Sequence, residues 1–129
     1  MSYVYLTLEE ILRLHFQIIE DYGGLHGVRD EHRLLSAIKA PQQKVFGQQQ
    51  YTSLYEKAAI YLRAIISDHP FSDGNKRTAL VMCGIFLVRN GKSMRIEPEE
   101  LEDFIVRIAT ERLSIAEISE WLQVNNKSR

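Results

Sequence analysis

Residues 69–90 read HPFSDGNKRTALVMCGIFLVRN, in which a polar loop runs directly into an apolar segment. Pro70 disfavours the helical conformation at His69, so we expect one helix to end there. Gly74 lets the backbone turn, and the apolar residues that follow predict a second helix from about Gly74 to Asn90. Because this second helix is apolar nearly all round, we expect it to be the central buried helix of the fold.

Signals for helix starts occur at five other points in the chain. They are Thr7, Asp30, Ser53, Pro98 and Ser114. Three of these residues precede a glutamate by three positions, which is the capping-box pattern, while aspartate is a good N-cap and proline suits a first helical position. The sequence therefore predicts an all-α fold, a compact single-domain helical bundle of about six helices around one central buried helix.

Two segments lie outside the predicted helices. Lys44–Thr52, which contains Gly47 and three glutamines, is the longest irregular stretch and is predicted to form a surface flap. Ser93–Ile96 fits either a short strand or merely extended chain.

Length and composition exclude several classes of protein. The chain has 129 residues, a formal net charge of −1, 45% hydrophobic and 26% charged residues, which is typical of one globular domain over residues 1–129. A net charge near zero argues against direct nucleic-acid binding, and the length excludes a two-lobed kinase.

Cys83 is the only cysteine, so we expect a buried structural thiol and no disulfide. No signal peptide or membrane-length apolar run is evident, so we expect a cytoplasmic location.

The loop 69–77 concentrates reactive groups at a predicted helix start. The backbone amides of Gly74, Asn75, Lys76 and Arg77 would be the unpaired donors of that start, and such donors bind anions. Two cations in a first helical turn also oppose the helix dipole, and a bound polyanion would resolve this conflict. The alternative is a solvated pair of cations without a ligand.

Asp73 and His69 supply the other groups that a group-transfer site needs. Asp73 beside a phosphate site suits Mg²⁺, although the same position would suit a simple N-cap. His69 suits a general base because imidazole exchanges protons near neutral pH. Asp68 could orient that imidazole or face solvent. Base, anion site and metal carboxylate together predict phosphoryl or nucleotidyl transfer to a hydroxyl group.

The remaining histidines and the loop phenylalanine have structural interpretations. We expect His15 to pack against the core, and His26 and His32 to be exposed. Phe71 is expected to anchor the loop to the core, as buried phenylalanine usually does.

The sequence HPFSDGNKR resembles the signature HPFx[DE]GNxRxxR of the Fic superfamily, and in detail it is similar to the Doc (death-on-curing) branch. Other Doc-like positions are Tyr22–Gly24, Gly27, Arg29, Asp30, Leu35–Ala37 and Pro41. The chain departs from the general pattern at two places, because Lys76 replaces the usual glycine and Leu80 stands where the second arginine would be.

The resemblance implies a role for each residue of the loop. His69 would deprotonate a target hydroxyl and Asp73 would hold Mg²⁺. Asn75 and the following amides would bind the phosphates of ATP. Adenylylating members use the second arginine to hold the outer phosphates, whereas Doc proteins lack it, bind the nucleotide in reversed orientation and transfer the γ-phosphate. Lys76 and Arg77 would then stabilise the transferring group.

The resemblance also implies partners. The target of Doc proteins is a threonine of elongation factor Tu, whose phosphorylation halts translation, and the flap would align the target peptide. No glutamate here is followed by glycine or asparagine, so the inhibitory motif [ST]xxxE[GN] of many Fic enzymes is missing. A cognate antitoxin whose C-terminal helix fills a groove near the site would replace it. The alternatives are an adenylyltransferase that uses His69, and a non-catalytic partner that helps its antitoxin repress their operon.

Overall fold

The computed structural model describes residues 2–126, and this range is predominantly helical. Its helices are α1 (Leu8–Tyr22), α2 (Glu31–Lys39), α3 (Leu54–Asp68), α4 (Asn75–Arg89), α5 (Pro98–Glu111) and α6 (Ile115–Asn125). A 3-10 turn (Ala40–Gln42) follows α2, and two short antiparallel strands, β1 (Lys44–Val45) and β2 (Gln48–Gln49), form a hairpin. The all-α prediction is confirmed. None of the helices in this range is long and apolar enough to cross a bilayer.

The helices begin where the sequence predicts. Thr7, Ser53 and Ser114 each accept a hydrogen bond from the amide of a glutamate three residues on, and that glutamate bonds back to the cap amide. Asp30 caps α2 through its side chain, and Pro98 is the first residue of α5. Each capping box satisfies two amides, one at the cap and one in the first turn, which explains why these short signals are reliable.

The bundle has a central buried helix, but it is α3 and not the helix after Gly74. α3 packs against α2, α4, α5 and α6. Its buried residues are Lys57, Ala58, Ala59, Ile60, Tyr61, Leu62, Ile65 and Ile66. α4 buries one face around Met82 and Phe86 but leaves Val88 62% exposed. The expectation that α4 would be central was wrong, because apolar composition indicates burial while the chain topology decides how many neighbours a helix has.

The two irregular segments take different conformations. The predicted flap contains the hairpin, and its two-residue turn has positive φ at Phe46 (51°) and Gly47 (79°), as tight hairpins require. Ser93–Ile96 has no helical or strand structure, so the strand alternative is not realised. The amide of Arg95 instead donates to the side chain of Asn126 at 2.7 Å.

Cys83 is a structural residue of α4. Its side chain is fully buried, and burial raises the pKa of its thiol to about 12. The thiolate that reactive cysteines need is therefore disfavoured, which confirms the prediction of a buried structural thiol.

Candidate active site

A cleft of about 600 Å³ lies at the N-terminal end of α4. All six residues that the sequence assigned to the site line it: His69, Asp73, Gly74, Asn75, Lys76 and Arg77. The structure therefore brings the predicted base, carboxylate, cations and helix start to one surface.

His69 ends α3 in the left-handed backbone region, with φ 46° and ψ 58°. This conformation is unfavourable by about 1–2 kcal/mol for a residue with a Cβ atom. The His69 amide still donates to the carbonyl of Ile65, and its side chain is exposed at the cleft. The predicted end of a helix at His69 is confirmed, and the imidazole is accessible to a substrate hydroxyl.

Two arginines close the C-terminal end of α3. Arg29 donates to the carbonyl of His69 at 2.8 Å and to that of Asp68 at 3.1 Å, and Arg33 also donates to Asp68 at 3.1 Å. The amides of Arg29 and Asp30 donate to the carbonyl of Pro70. These bonds satisfy carbonyls that a helix end leaves open and hold the backbone of His69 in place.

Asp68 acts through its backbone. No hydrogen bond within residues 2–126 joins its carboxylate to the ring of His69, and the carbonyl of Asp68 is the atom that the arginines bind. The structure therefore gives no support to an orienting role for the Asp68 side chain.

Asp73 is held by the loop after α1. Its Oδ2 accepts the amide of Leu25 at 3.1 Å, and its Oδ1 accepts the amide of Gly74 at 3.2 Å. The N-cap of α4 is Gly74, without a side-chain cap bond, so the N-cap interpretation of Asp73 was wrong. A Cβ atom added to Gly24 would lie 2.9 Å from Oδ2 of Asp73, which shows how closely this loop packs on the carboxylate.

α1 contacts the loop between α3 and α4 through His15. His15 is 4% exposed, and its ring stacks on that of Phe71 with the ring centroids 3.8 Å apart. Its Nε2 donates to the carbonyl of Asp73 at 2.8 Å, and burial lowers its pKa, which favours the neutral ring with a bare Nδ1. The predictions for His15 and Phe71 are confirmed, as is the exposure of His26 and His32. The bond to Asp73 was missed, because a histidine on an apolar helix face shows no partner in sequence.

The side chain of Asn75 braces the loop. Asn75 is 9% exposed, its Oδ1 accepts the amide of Phe71 at 3.0 Å, and its Nδ2 donates to the carbonyl of Phe71 at 3.0 Å. Because both polar atoms are engaged with the loop, Asn75 offers the cleft its backbone amide and fixes the shape of the turn.

Replacing Asn75 with alanine is expected to lower the free energy of unfolding by about 2–4 kcal/mol, because the buried amide and carbonyl of Phe71 both lose their partner. Urea denaturation of the variant and the parent chain measures this difference. Ser72→Ala is the matched control, since Ser72 is exposed, and its effect should stay within about 0.5 kcal/mol. Equal midpoints for the two variants would show that the Asn75 contact does not hold the loop.

The start of α4 leaves its positive end open. No side chain caps it, and within the described range the amides of Asn75, Lys76 and Arg77 have no acceptor. Neither cation lies within 4.0 Å of a carboxylate of residues 2–126. Arg77 is instead placed over the ring of Tyr22 at 3.9 Å. The amide of Gly74 is occupied by Asp73, so three amides remain for an anion.

The residues fit Mg²⁺ only together with a phosphate ligand. The described residues contain no cluster of three or more His, Cys, Asp or Glu side chains that could hold a metal by themselves. Mg²⁺ commonly uses one or two carboxylates, several waters and substrate phosphate oxygens. Asp73 lies one residue before the open anion site, so its carboxylate could bind Mg²⁺ together with the phosphate oxygens of a ligand there.

The far wall of the cleft consists of Leu80 from α4 and of Glu102, Ile105 and Val106 from α5. Leu80 was expected near the site from its place in the motif, but the three residues of α5 were not predicted. Val106 is 48% exposed, so this wall offers an apolar surface with one carboxylate. Nothing in the loop sequence indicates these α5 residues, because only packing brings α5 to the cleft.

The sequence matches the profile of the Fic/DOC family over residues 5–87, a range that runs from just before α1 to near the end of α4 and includes the site loop. The chain belongs to the Fic/DOC family. It is similar to "Protein kinase doc" of Escherichia phage P1, with 38% identity over 119 residues that cover 92% of this chain and 93% of that protein. It is also similar to "Toxin Doc" of Mycolicibacterium smegmatis, with 36% identity over 91 residues that cover 69% of this chain and 70% of that protein. The resemblance seen in the sequence is confirmed.

Proposed function

We propose that this chain is the toxin of a toxin–antitoxin pair and transfers the γ-phosphate of ATP to a hydroxyl of a protein target. One relative is named a protein kinase and the other a toxin. The observation that carries the kinase proposal is the cleft itself: His69, Asp73 and the open start of α4 are present, while Leu80 occupies the place of the second arginine. An apolar side chain at that place cannot hold outer phosphates for adenylyl transfer.

In this proposal His69 receives the proton of the target hydroxyl. The hydroxyl oxygen bonds to the γ-phosphorus as the bond from that phosphorus to the β,γ-bridging oxygen breaks, and ADP leaves with the bonding pair. The amides of Asn75, Lys76 and Arg77 and the two cationic side chains stabilise the charge on the transferring group. The imidazole is exposed and the backbone of His69 is held by Arg29, which suits a positioned base.

Asp73 would hold Mg²⁺ together with the phosphates of ATP. When bound, this ion would neutralise charge that develops on the phosphate oxygens. The residues around Asp73 contribute rigidity, since Leu25 and Gly74 hold its oxygens and His15 holds its carbonyl.

The proposed partners follow from the family resemblance and from exposed apolar side chains near the site. The target is a threonine of elongation factor Tu, so the toxin would act in the cytoplasm. Exposed apolar groups lie on α1 and the loop after it, with Phe16 56%, Tyr22 63% and Leu25 68% exposed. The amide of Leu25 binds Asp73, so a helix of the antitoxin docked on this surface would adjoin the site.

Labelled ATP tests the reaction. We expect label from γ-labelled ATP, and none from α-labelled ATP, to appear on elongation factor Tu when the two proteins are incubated with Mg²⁺. The same incubation in a cell extract shows whether another protein is labelled instead. Label that arrives only from the α position would replace the kinase proposal by the adenylyltransferase alternative.

A further inference from the structure

Lys57 is a fully buried lysine in the central helix, with 0% exposure. It lies twelve residues before His69, which corresponds to about 18 Å along an α-helix. Within residues 2–126 no carboxylate lies within 4.0 Å of its ammonium. A buried cation is costly unless hydrogen bonds satisfy it, so its neutral partners must compensate for the lost water.

Those partners belong to three irregular segments. Nζ of Lys57 donates to the carbonyl of Pro41 at 2.8 Å and to Oε1 of Gln49 at 3.0 Å. The rings of Tyr3 and Tyr5 lie 5.6 and 5.5 Å away, within the range of cation–π attraction. One ammonium therefore ties the N-terminal segment, the 3-10 turn and the hairpin to α3.

The hairpin has few other attachments. Every residue from 42 to 50 is exposed, and a two-stranded hairpin of this size is marginal on its own. Among the described residues, Lys57–Gln49 is the side-chain hydrogen bond that joins the strands of the hairpin to the helical bundle. The turn presents Phe46 fully exposed to solvent, where it is free to contact another protein.

We propose that Lys57 is a positioning residue for the protein substrate. It holds the hairpin at one place on α3, and because α3 is continuous from Lys57 to its end at His69, the hairpin and the base keep a fixed separation. A target loop with an apolar contact for Phe46 would then present its hydroxyl at His69. This inference rests on the proposed function, in which the flap aligns a protein target.

Gln49→Ala tests the anchor without altering the core. We expect the KM for the protein target to rise about tenfold, the effect of losing one hydrogen bond to a charged group, while kcat and the KM for ATP stay unchanged. Gln49→Glu keeps an acceptor opposite Lys57 and should retain the parental KM. Gln48→Ala is the matched control, because Gln48 is the neighbouring exposed residue of the same strand.

Chymotrypsin cleavage after Phe46 reports the anchor independently of catalysis. Gln49→Ala should be cleaved faster than the parent chain, and Gln48→Ala and Gln49→Glu should not. Unchanged cleavage of Gln49→Ala would overturn the anchor, and faster cleavage with an unchanged KM would overturn the positioning role. A parent chain that transfers no phosphate would overturn the proposed function and this role with it, while the cleavage rates still decide whether Lys57 anchors the hairpin.

Discussion

His69→Ala is expected to abolish the proposed phosphate transfer while leaving the fold intact. Removing a general base lowers kcat/KM by about 10²–10⁴. The side chain is exposed, and alanine at the same left-handed position carries the same backbone strain, so the free energy of unfolding should change by less than about 1 kcal/mol. Transfer of γ-label to the target and urea denaturation measure the two quantities. His32→Ala, at an exposed histidine outside the cleft, is the control and should behave like the parent chain.

His69→Gly separates the chemistry from the backbone. Glycine relieves the left-handed strain, so we expect this variant to be about 1 kcal/mol more stable than the parent chain and equally unable to transfer phosphate. A gain of stability with loss of activity would show that the strained backbone is tolerated at this position because the imidazole is needed for activity.

Expression of the same variants distinguishes chemistry from binding. Growth arrest should disappear for His69→Ala and persist for His32→Ala. Arrest that survives the loss of the imidazole would favour the non-catalytic antitoxin partner over the kinase.

Gly24→Ala is expected to reduce activity strongly from a position that contributes no side chain to the cleft. The new Cβ would lie 2.9 Å from Oδ2 of Asp73, closer than Cβ atoms approach other heavy atoms, and 3.1 Å from Cγ, which is a tight contact. The carboxylate must shift, and if Asp73 acts as proposed, a displacement of about 1 Å costs on the order of 100-fold in rate. We expect a comparable loss of kcat/KM and a higher Mg²⁺ requirement, measured at a temperature well below unfolding.

Gly23→Ala is the matched control for this experiment. Gly23 has φ +87° and Gly24 has φ +114°, so alanine meets backbone strain at both, but nothing lies within 4 Å of a Cβ atom at Gly23. Gly23, with ψ 173°, lies in a backbone region that is essentially restricted to glycine, so Gly23→Ala should lose about 1–3 kcal/mol of stability and keep its activity. If the two variants lose activity equally, strain in the loop rather than contact with Asp73 is the cause.

Features that depend on neighbours in the chain were predictable from sequence. A cap at Thr7 or Ser114 is decided by a side chain and an amide three residues away, and both are visible in the sequence. The candidate site could be located for the same reason, because its base, carboxylate and helix start all fall between His69 and Arg77. These residues line one cleft because they are close neighbours in the chain, although distant residues hold the loop in its conformation.

Features that depend on distant residues were missed or misjudged. Asp73 was predicted to hold Mg²⁺, with a simple N-cap as the alternative, and that alternative was wrong because its carboxylate accepts the amides of Leu25 and Gly74. Asn75 was predicted to bind phosphate, and the sequence did not indicate that its side chain forms hydrogen bonds with the backbone of Phe71. We expected α4 to be central because of its apolar run from Ala79 to Val88, whereas α3 packs against more of the other helices.

The sequence by itself determined that this chain is all-α, where its helices begin, and which loop carries the reactive groups, because those properties follow from local hydrogen bonding and periodicity. Only the tertiary structure decided how the loop is held: by His15 of α1, by Arg29 before α2, and by Gly24 against Asp73. It also decided that α5 forms the far wall and that Lys57 ties the hairpin to the bundle. These contacts join residues far apart in the chain, and such pairs are chosen by packing of the whole bundle and not by local pattern.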